Sequence, residues 1–174
     1  MKSYKSSDQA LVRELNLSLV LRNIHNEAPV SRAQIAQSTG LNKSTVSNLV
    51  EFLLERRLIH ETGIDSVGKG RPARLIEINP RAGAIVGAEF GVDYVAVALT
   101  DFTGNVIWRD DVATDFGAGQ RSVLAQTLKL IKKAMDFGKD EALHLLGLGI
   151  ATPGTLNLDE GLLIFAPNLQ FCLE

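Results

Sequence analysis

Five short polar side chains crowd one stretch of this chain: Lys43, Ser44, Thr45, Ser47 and Asn48. Hydroxyl and amide groups can hydrogen-bond to base edges or phosphate oxygens, and an ammonium group can neutralise a phosphate. Interleaved with them, Val46, Leu49, Val50, Leu53 and Leu54 keep the spacing of a helix with one buried stripe. On their own, Ser44 and Thr45 read equally well as capping and solvated residues. The residues before them decide the matter. In RAQIAQSTGLNKSTVSNLVE (32–51), Ala36 is small enough for a close helix crossing. Gly40 supplies the left-handed backbone a sharp turn needs, and Val46 returns to the seam with Ile35 and Leu49. Ser31 and Asn42 stand where the two helices need N-caps. This spacing predicts a helix-turn-helix that delivers its second helix to the DNA major groove, in preference to a plain helical hairpin.

The flanks supply what such a unit needs. DQALVRELNLSLVLRNIHNEA (8–28) predicts a long first helix with Asp8 as its N-cap. Leu11, Leu15, Leu19 and Ile24 form its buried stripe, His25 is a helix-dipole partner, and Pro29 ends it. Downstream, Leu58 to Ile64 and Arg74 to Ile78 read as two antiparallel strands joined by a loop from Ser66 to Ala73. That loop is glycine-rich and basic, the wing of a winged helix-turn-helix, and carries Lys69, Arg71 and Arg74. Its Gly68-Lys69-Gly70-Arg71-Pro72 resembles the Arg-Gly-Arg-Pro core of AT-hook peptides, narrow enough for an A·T-rich minor groove. A solvated hairpin tip is the alternative; the reading helix beside it favours the DNA role.

Composition bounds the rest. The 174 residues are 45% hydrophobic, enough for a buried core in one or two domains. No run of apolar residues is long enough to span a membrane, and the polar MKSYKSSDQ has no secretory apolar segment. The lone Cys172 cannot form an intrachain disulfide, which fits a reducing cytoplasm; it is taken as incidental. No His or Cys cluster has metal spacing, so neither metal nor cofactor is expected. The net charge of −2 is unevenly divided. Residues 1–80 hold 11 Lys and Arg against 8 Asp and Glu, whereas residues 81–174 hold 7 against 12. The positive excess therefore lies with the DNA-reading half. Two domains with different partners are expected, 1–80 and 81–174.

In the second half, residues 84–91, 94–101 and 105–114 are rich in β-branched and aromatic types and read as a three-stranded meander. An amphipathic helix follows at 120–140, with Val123, Leu124, Leu128, Ile131 and Met135 on its buried face. A buried strand within 143–154 and a last strand at 162–165 complete the pattern. The fold class is α/β (α+β overall): a winged helix-turn-helix followed by the first part of an RNase H-like lobe. Because only part of that lobe is present, the chain reads as an N-terminal fragment or truncated product.

SRAQIA, TGLNKSTVSNLV and the GKGRP wing, running into INPRAGAIVGAEFGVDYVAVALTDFTGNVI, strongly resemble the ROK family (repressor, open reading frame, kinase) in its repressor branch, closest to its xylose repressors. The resemblance covers the whole chain. It implies a cytoplasmic homo-oligomer that binds a double-stranded operator through winged domains and responds to a sugar through the ROK lobe. Xylose is the favoured sugar, with glucose and N-acetylglucosamine as alternatives, and by the same resemblance the complete sugar site needs the missing C-terminal part of the lobe. The kinase branch carries an Asp-Xaa-Gly-Gly-Thr phosphate motif. Here the matching stretch is Glu89-Phe90-Gly91-Val92-Asp93, where valine crowds the phosphates and Asp93 repels them, so no kinase activity is expected. The resemblance also makes Gly154 (of the Pro153-Gly154 loop) and Asn168 (of Pro167-Asn168-Leu169) candidate sugar-binding positions; turn and capping roles would serve them equally well.

The leading function is a sequence-specific repressor of carbohydrate-utilisation genes that contacts DNA through Lys43, Ser44, Thr45, Ser47, Asn48, Lys69, Arg71 and Arg74. The rivals are a ROK sugar kinase with an appended DNA-binding domain, and a regulator whose second domain only dimerises. If Arg71 enters a minor groove, Arg71→Ala weakens binding most on A·T-rich flanks in a gel-shift comparison; equal weakening on every flank assigns Arg71 to phosphates instead.

Overall fold

Pro29 cannot continue a helix, and the first helix, α1 (Tyr4–Glu27), stops just before it. The computed structural model describes residues 4–65, 73–91, 93–114 and 119–166, with 4–8, 64 and 65 described by backbone alone. Lys69, Arg71, Asn168 and Cys172 therefore lie outside the described residues. Two units divide the chain, Met1–Ala82 and Gly83–Glu174.

In the first unit a two-residue strand, β1 (Val30–Ser31), leads straight into α2 (Arg32–Thr39). Ser31 closes a full capping box there. Its hydroxyl accepts from the Gln34 backbone N–H at 3.4 Å, while the Gln34 amide oxygen accepts from the Ser31 N–H at 2.8 Å. Gly40 ends α2 at φ 71° in the left-handed region, and Asn42 caps α3 (Lys43–Glu55) by accepting from the Thr45 N–H at 2.7 Å. Ile35, Val46, Val50 and Leu53 are fully buried in the seam this turn creates, and Ala36 is buried beside them. At the far end of α3, Arg57 takes φ 56° and its carbonyl accepts from the Asn79 side-chain amide at 2.7 Å. This ties the helix to the strands that follow. These are β2 (Ile59–Asp65) and β3 (Ala73–Ile78), antiparallel, with β1 on the other side of β3. Buried Ile59 and Ile76 bring the sheet into the same core.

Of the four residues named for the apolar stripe on α1, the fold buries only Ile24. Val20 and Ile24 are fully buried, but Leu11, Leu15 and Leu19 are exposed, Leu15 by 60%. At helical spacing the face of Ile24 and Val20 continues towards the N-terminus through Asn16, Arg13 and Gln9, and that polar continuation is what lies beside α3. The leucines fall to one side of it. The helix also begins at Tyr4, before the Asp8 expected as its cap, and Leu54 of α3 is half-buried rather than buried.

In the second unit β4 (Ala84–Phe90), β5 (Tyr94–Asp101) and β6 (Val106–Ala113) form the antiparallel meander. α4 (Gln120–Asp140) then crosses over, so that β7 (Leu145–Ala151) lies parallel to β4, in the order β6-β5-β4-β7. Three antiparallel strands, a crossover helix and a parallel fourth strand are the arrangement expected of an RNase H-like lobe. A small hairpin, β8 (Thr155–Asn157) and β9 (Leu162–Phe165), follows.

Of the five residues expected on the buried face of α4, Val123 and Ile131 are buried, whereas Leu124, Leu128 and Met135 are exposed. The sheet takes the adjacent face, completed by Thr127, Leu130, Ala134 and Gly138. Small residues win there because the helix lies close: a Cβ on Gly138 would stand 3.2 Å from Leu99 and 3.3 Å from Leu145. β7, expected to be buried, is largely exposed, with Leu146, Leu148 and Ile150 uncovered. It occupies a sheet edge, and α4 packs mainly on β4, β5 and β6.

At Gly40 a Cβ would meet nothing within 4 Å, so only backbone strain opposes a side chain. Gly40→Ala is expected to cost about 1 kcal/mol in urea unfolding, the ordinary penalty of an L-residue in the left-handed region.

Candidate nucleic-acid interface

α3 carries two faces. Val46, Leu49, Val50 and Leu53 point into the core; Lys43, Ser44, Ser47 and Asn48 are exposed and Thr45 is half-buried. The five polar residues singled out from the sequence thus fall on the first two turns, clear of the seam. Two of the hydroxyl protons are already used locally: Ser44 Oγ donates to Asn42 Oδ1 and Ser47 Oγ donates to the Lys43 carbonyl, both at 2.8 Å. Beyond Asn48 the exposed side bears Glu51 and Glu55, which would repel phosphates. Within α3 itself the cation and the neutral polar groups therefore lie in the N-terminal half, the part a helix-turn-helix presents to base edges, while Arg56 at its C-cap lies over Phe52.

At the base of the wing the sequence missed a network. Arg74 is exposed, but its Nη1 ion-pairs with Glu61 of β2. Arg32, at the start of α2, joins the same carboxylate at 3.2 Å and reaches Glu51 of α3 at 3.5 Å. Four charges from α2, α3, β2 and β3 are thus linked. Arg74, expected to contact DNA freely, has a protein partner. Its hydrogen bond, with help from Arg32, holds the Glu61 carboxyl below the usual carboxylate range, although partial burial opposes the shift. β2 is also bulged between Glu61 and Gly63, which increases the twist of the hairpin that carries the wing.

On the opposite flank of α3 lies a concavity lined by Gln9, Arg13 and Asn16 of α1 together with Thr45 and Asn48. The Arg13 guanidinium lies over the Phe52 ring at 4.8 Å, and Arg56 covers that ring at 3.5 Å. The sequence does carry a signal for Gln9, Arg13 and Asn16, because they continue the spacing of Val20 and Ile24, but the stripe of leucines is the more apolar pattern.

In the second unit the end of β4 and the start of β5 are tied by their side chains. The Tyr94 hydroxyl donates to Glu89 Oε1 at 3.1 Å, and this bond raises the Tyr94 phenol above its ordinary pKa. A Cβ at Gly91 would collide with the Tyr94 ring, so the ring covers the glycine over which a phosphate would have to approach. Gly154 has φ 131°, and a Cβ there would strike the Phe165 carbonyl. Its lack of a side chain therefore serves the packing of β9. Among the described residues no cluster of His, Cys, Asp or Glu is placed to hold a metal ion, and no helix is long and apolar enough to cross a membrane.

Comparison with known proteins extends this picture. The IclR helix-turn-helix domain family matches residues 20–63. A putative xylose repressor of Caldicellulosiruptor sp. (strain Rt8B.4) is 33% identical over 164 residues, 94% of this chain and 41% of that protein. The xylose repressor of Caldicellulosiruptor bescii is 32% identical over 164 residues, with the same coverage of both. The chain thus spans about two-fifths of the length of these curated relatives. A crystal structure of a ROK family transcriptional regulator, a homolog of the E. coli MLC protein, superposes with a TM-score of 0.68 at 22% identity, covering 90% of this chain and 40% of that one. That likeness shows the fold of both units.

Glu61 is the pivot of the charge network, and its depressed pKa has a sign. The stability it confers is fully present above the ordinary carboxylate pKa and is lost as pH falls through the lower folded value. Thermal melts of Glu61→Gln should therefore lie below wild type at neutral pH and converge with it in acid. The same variant frees Arg74, leaves Arg32 paired with Glu51, and is expected to tighten non-specific duplex binding severalfold at low salt, measured by fluorescence anisotropy.

Proposed function

We propose that the chain belongs to the ROK family of regulators and is the operator-binding part of a sugar-responsive transcriptional repressor. One observation carries this reading. The turn at Gly40 seats α3 so that Lys43, Ser44, Ser47 and Asn48 stand exposed together, while the acidic residues of the helix lie beyond them. Those groups, with Thr45, would meet base edges and phosphates in the major groove, and Lys69, Arg71 and Arg74 would serve the backbone or minor groove. Arg74 must give up Glu61 or share it to do so. Two copies on a pseudo-palindromic site, with half-sites a whole number of helical turns apart, follow from the geometry of such helices.

The effector proposed is a sugar, with xylose favoured by the names of the similar repressors. Gly154 and Asn168 are the positions proposed to approach it. Catalysis is not proposed. A sugar kinase needs close phosphate approach at the first strand turn, and here the Tyr94 ring covers Gly91 while its hydroxyl donates to the Glu89 carboxylate.

The test is selection of duplexes by the chain from a random pool, followed by titration of xylose, glucose and N-acetylglucosamine against the selected complex. Enrichment of a two-fold related sequence, released by one of these sugars, is the expected result. No preference over random competitor at moderate ionic strength would sink the DNA-binding reading, and ATP turnover with any of the sugars would restore the kinase.

A further inference from the structure

Arginines occupy two concavities of opposite character on the winged unit. Where Arg32 and Arg74 lie, Glu51 and Glu61 neutralise them. The concavity between α1 and α3, about 440 Å³, offers instead a guanidinium, amides and a hydroxyl from Gln9, Arg13, Asn16, Thr45 and Asn48 over an apolar floor. None of its lining residues is a carboxylate. Among the described residues no acid ion-pairs with Arg13. Its contact is with the Phe52 ring, which it shares with Arg56. A guanidinium laid on a ring keeps its N–H donors at the edges, unspent, while the stacking limits where they point. Donors without acceptors of formal charge, on a held cation, make a seat for an anion.

The position of this seat suggests which anion. Asn48 belongs both to the concavity and to the exposed polar side of α3, and Thr45 lies one turn before it. A duplex that lies along that side passes the mouth of the concavity with its backbone. Resting on the DNA-binding reading above, we propose that Arg13, held on Phe52, takes a backbone phosphate of the strand whose bases meet the first turns of α3. α1 thereby becomes a third contacting element beside the reading helix and the wing. Such a contact fixes register and orientation without selecting bases. A purely structural clamp between α1 and α3 would affect stability and leave the ionic-strength dependence of binding alone.

The experiment uses the full chain and a duplex it has selected, with Kd measured by fluorescence anisotropy across a salt series. Arg13→Gln is expected to lower the slope of log K against log salt by about one, with base preference unchanged. Arg13→Lys should keep the slope. A wild-type slope in Arg13→Gln overturns the proposal and leaves the DNA-binding reading standing; a wild-type chain that prefers no duplex overturns both. A second measurement needs only the unaltered protein and Arg13→Lys, should the glutamine variant fail to fold. Methylphosphonates, which remove one phosphate charge at a time, are placed along the duplex. One position should weaken wild-type binding and, with the charge retained but the stacked fork lost, weaken Arg13→Lys less. Equal effects in the two proteins at every position would overturn the proposal.

Discussion

Helices as short as α2 hold a fixed crossing only where backbones approach closely, and in this chain that closeness depends on two small residues. Ala36 leaves room at the crossing, and Gly40 turns the chain through a conformation that strains any side chain. An eight-residue helix is marginal by itself, so its capping box and the buried Ile35 must supply what propensity does not. Once the crossing is set, the direction of α3 is set. Its buried stripe faces the core, its polar first turns face outward, and its flanks meet α1 on one side and Arg32 on the other. The sheet inherits the same frame, since Asn79 holds the end of β3 to the end of α3.

Charge is distributed around that frame in a consistent way. Glu51 and Glu55 limit the exposed side of α3 to its N-terminal half, and Glu51 and Glu61 gather the arginines of α2 and β3. The α1 flank has a cation and no opposing acid among its lining groups. The local sign of the surface is therefore set by which arginines have partners more than by how many there are. The second unit is acidic, in keeping with a separate task.

What was legible in the sequence was local. Ser31, Gly40 and Asn42 each act within four residues of their own position, and their roles follow from residue type and spacing. The strands of the meander were equally readable, because β-branched and aromatic content within one strand needs no knowledge of its neighbours. Choices made by distant partners were not readable. Leu11, Leu15 and Leu19 resemble a core stripe as well as Val20 and Ile24 do, and only the position of α3 selects between them. On α4 the apolar Leu124, Leu128 and Met135 lost to Ala134 and Gly138, since distance to the sheet mattered more than hydrophobicity. β7 reads as a buried strand, yet its place at an edge leaves it uncovered. The bond of Arg32 to Glu61 spans 29 residues, beyond the reach of any spacing rule.

The serines of α3 set a chemical polarity for whatever the helix meets. With their protons turned inward to Asn42 and the Lys43 carbonyl, Ser44 and Ser47 offer lone pairs outward. In a major groove, such oxygens suit the exocyclic amino groups of cytosine and adenine and gain nothing from guanine O6 or N7. Guanine would be left to Lys43 and to the amide hydrogens of Asn48. On a duplex, a helix that looks evenly polar would thus divide its alphabet between its hydroxyls and its nitrogen donors.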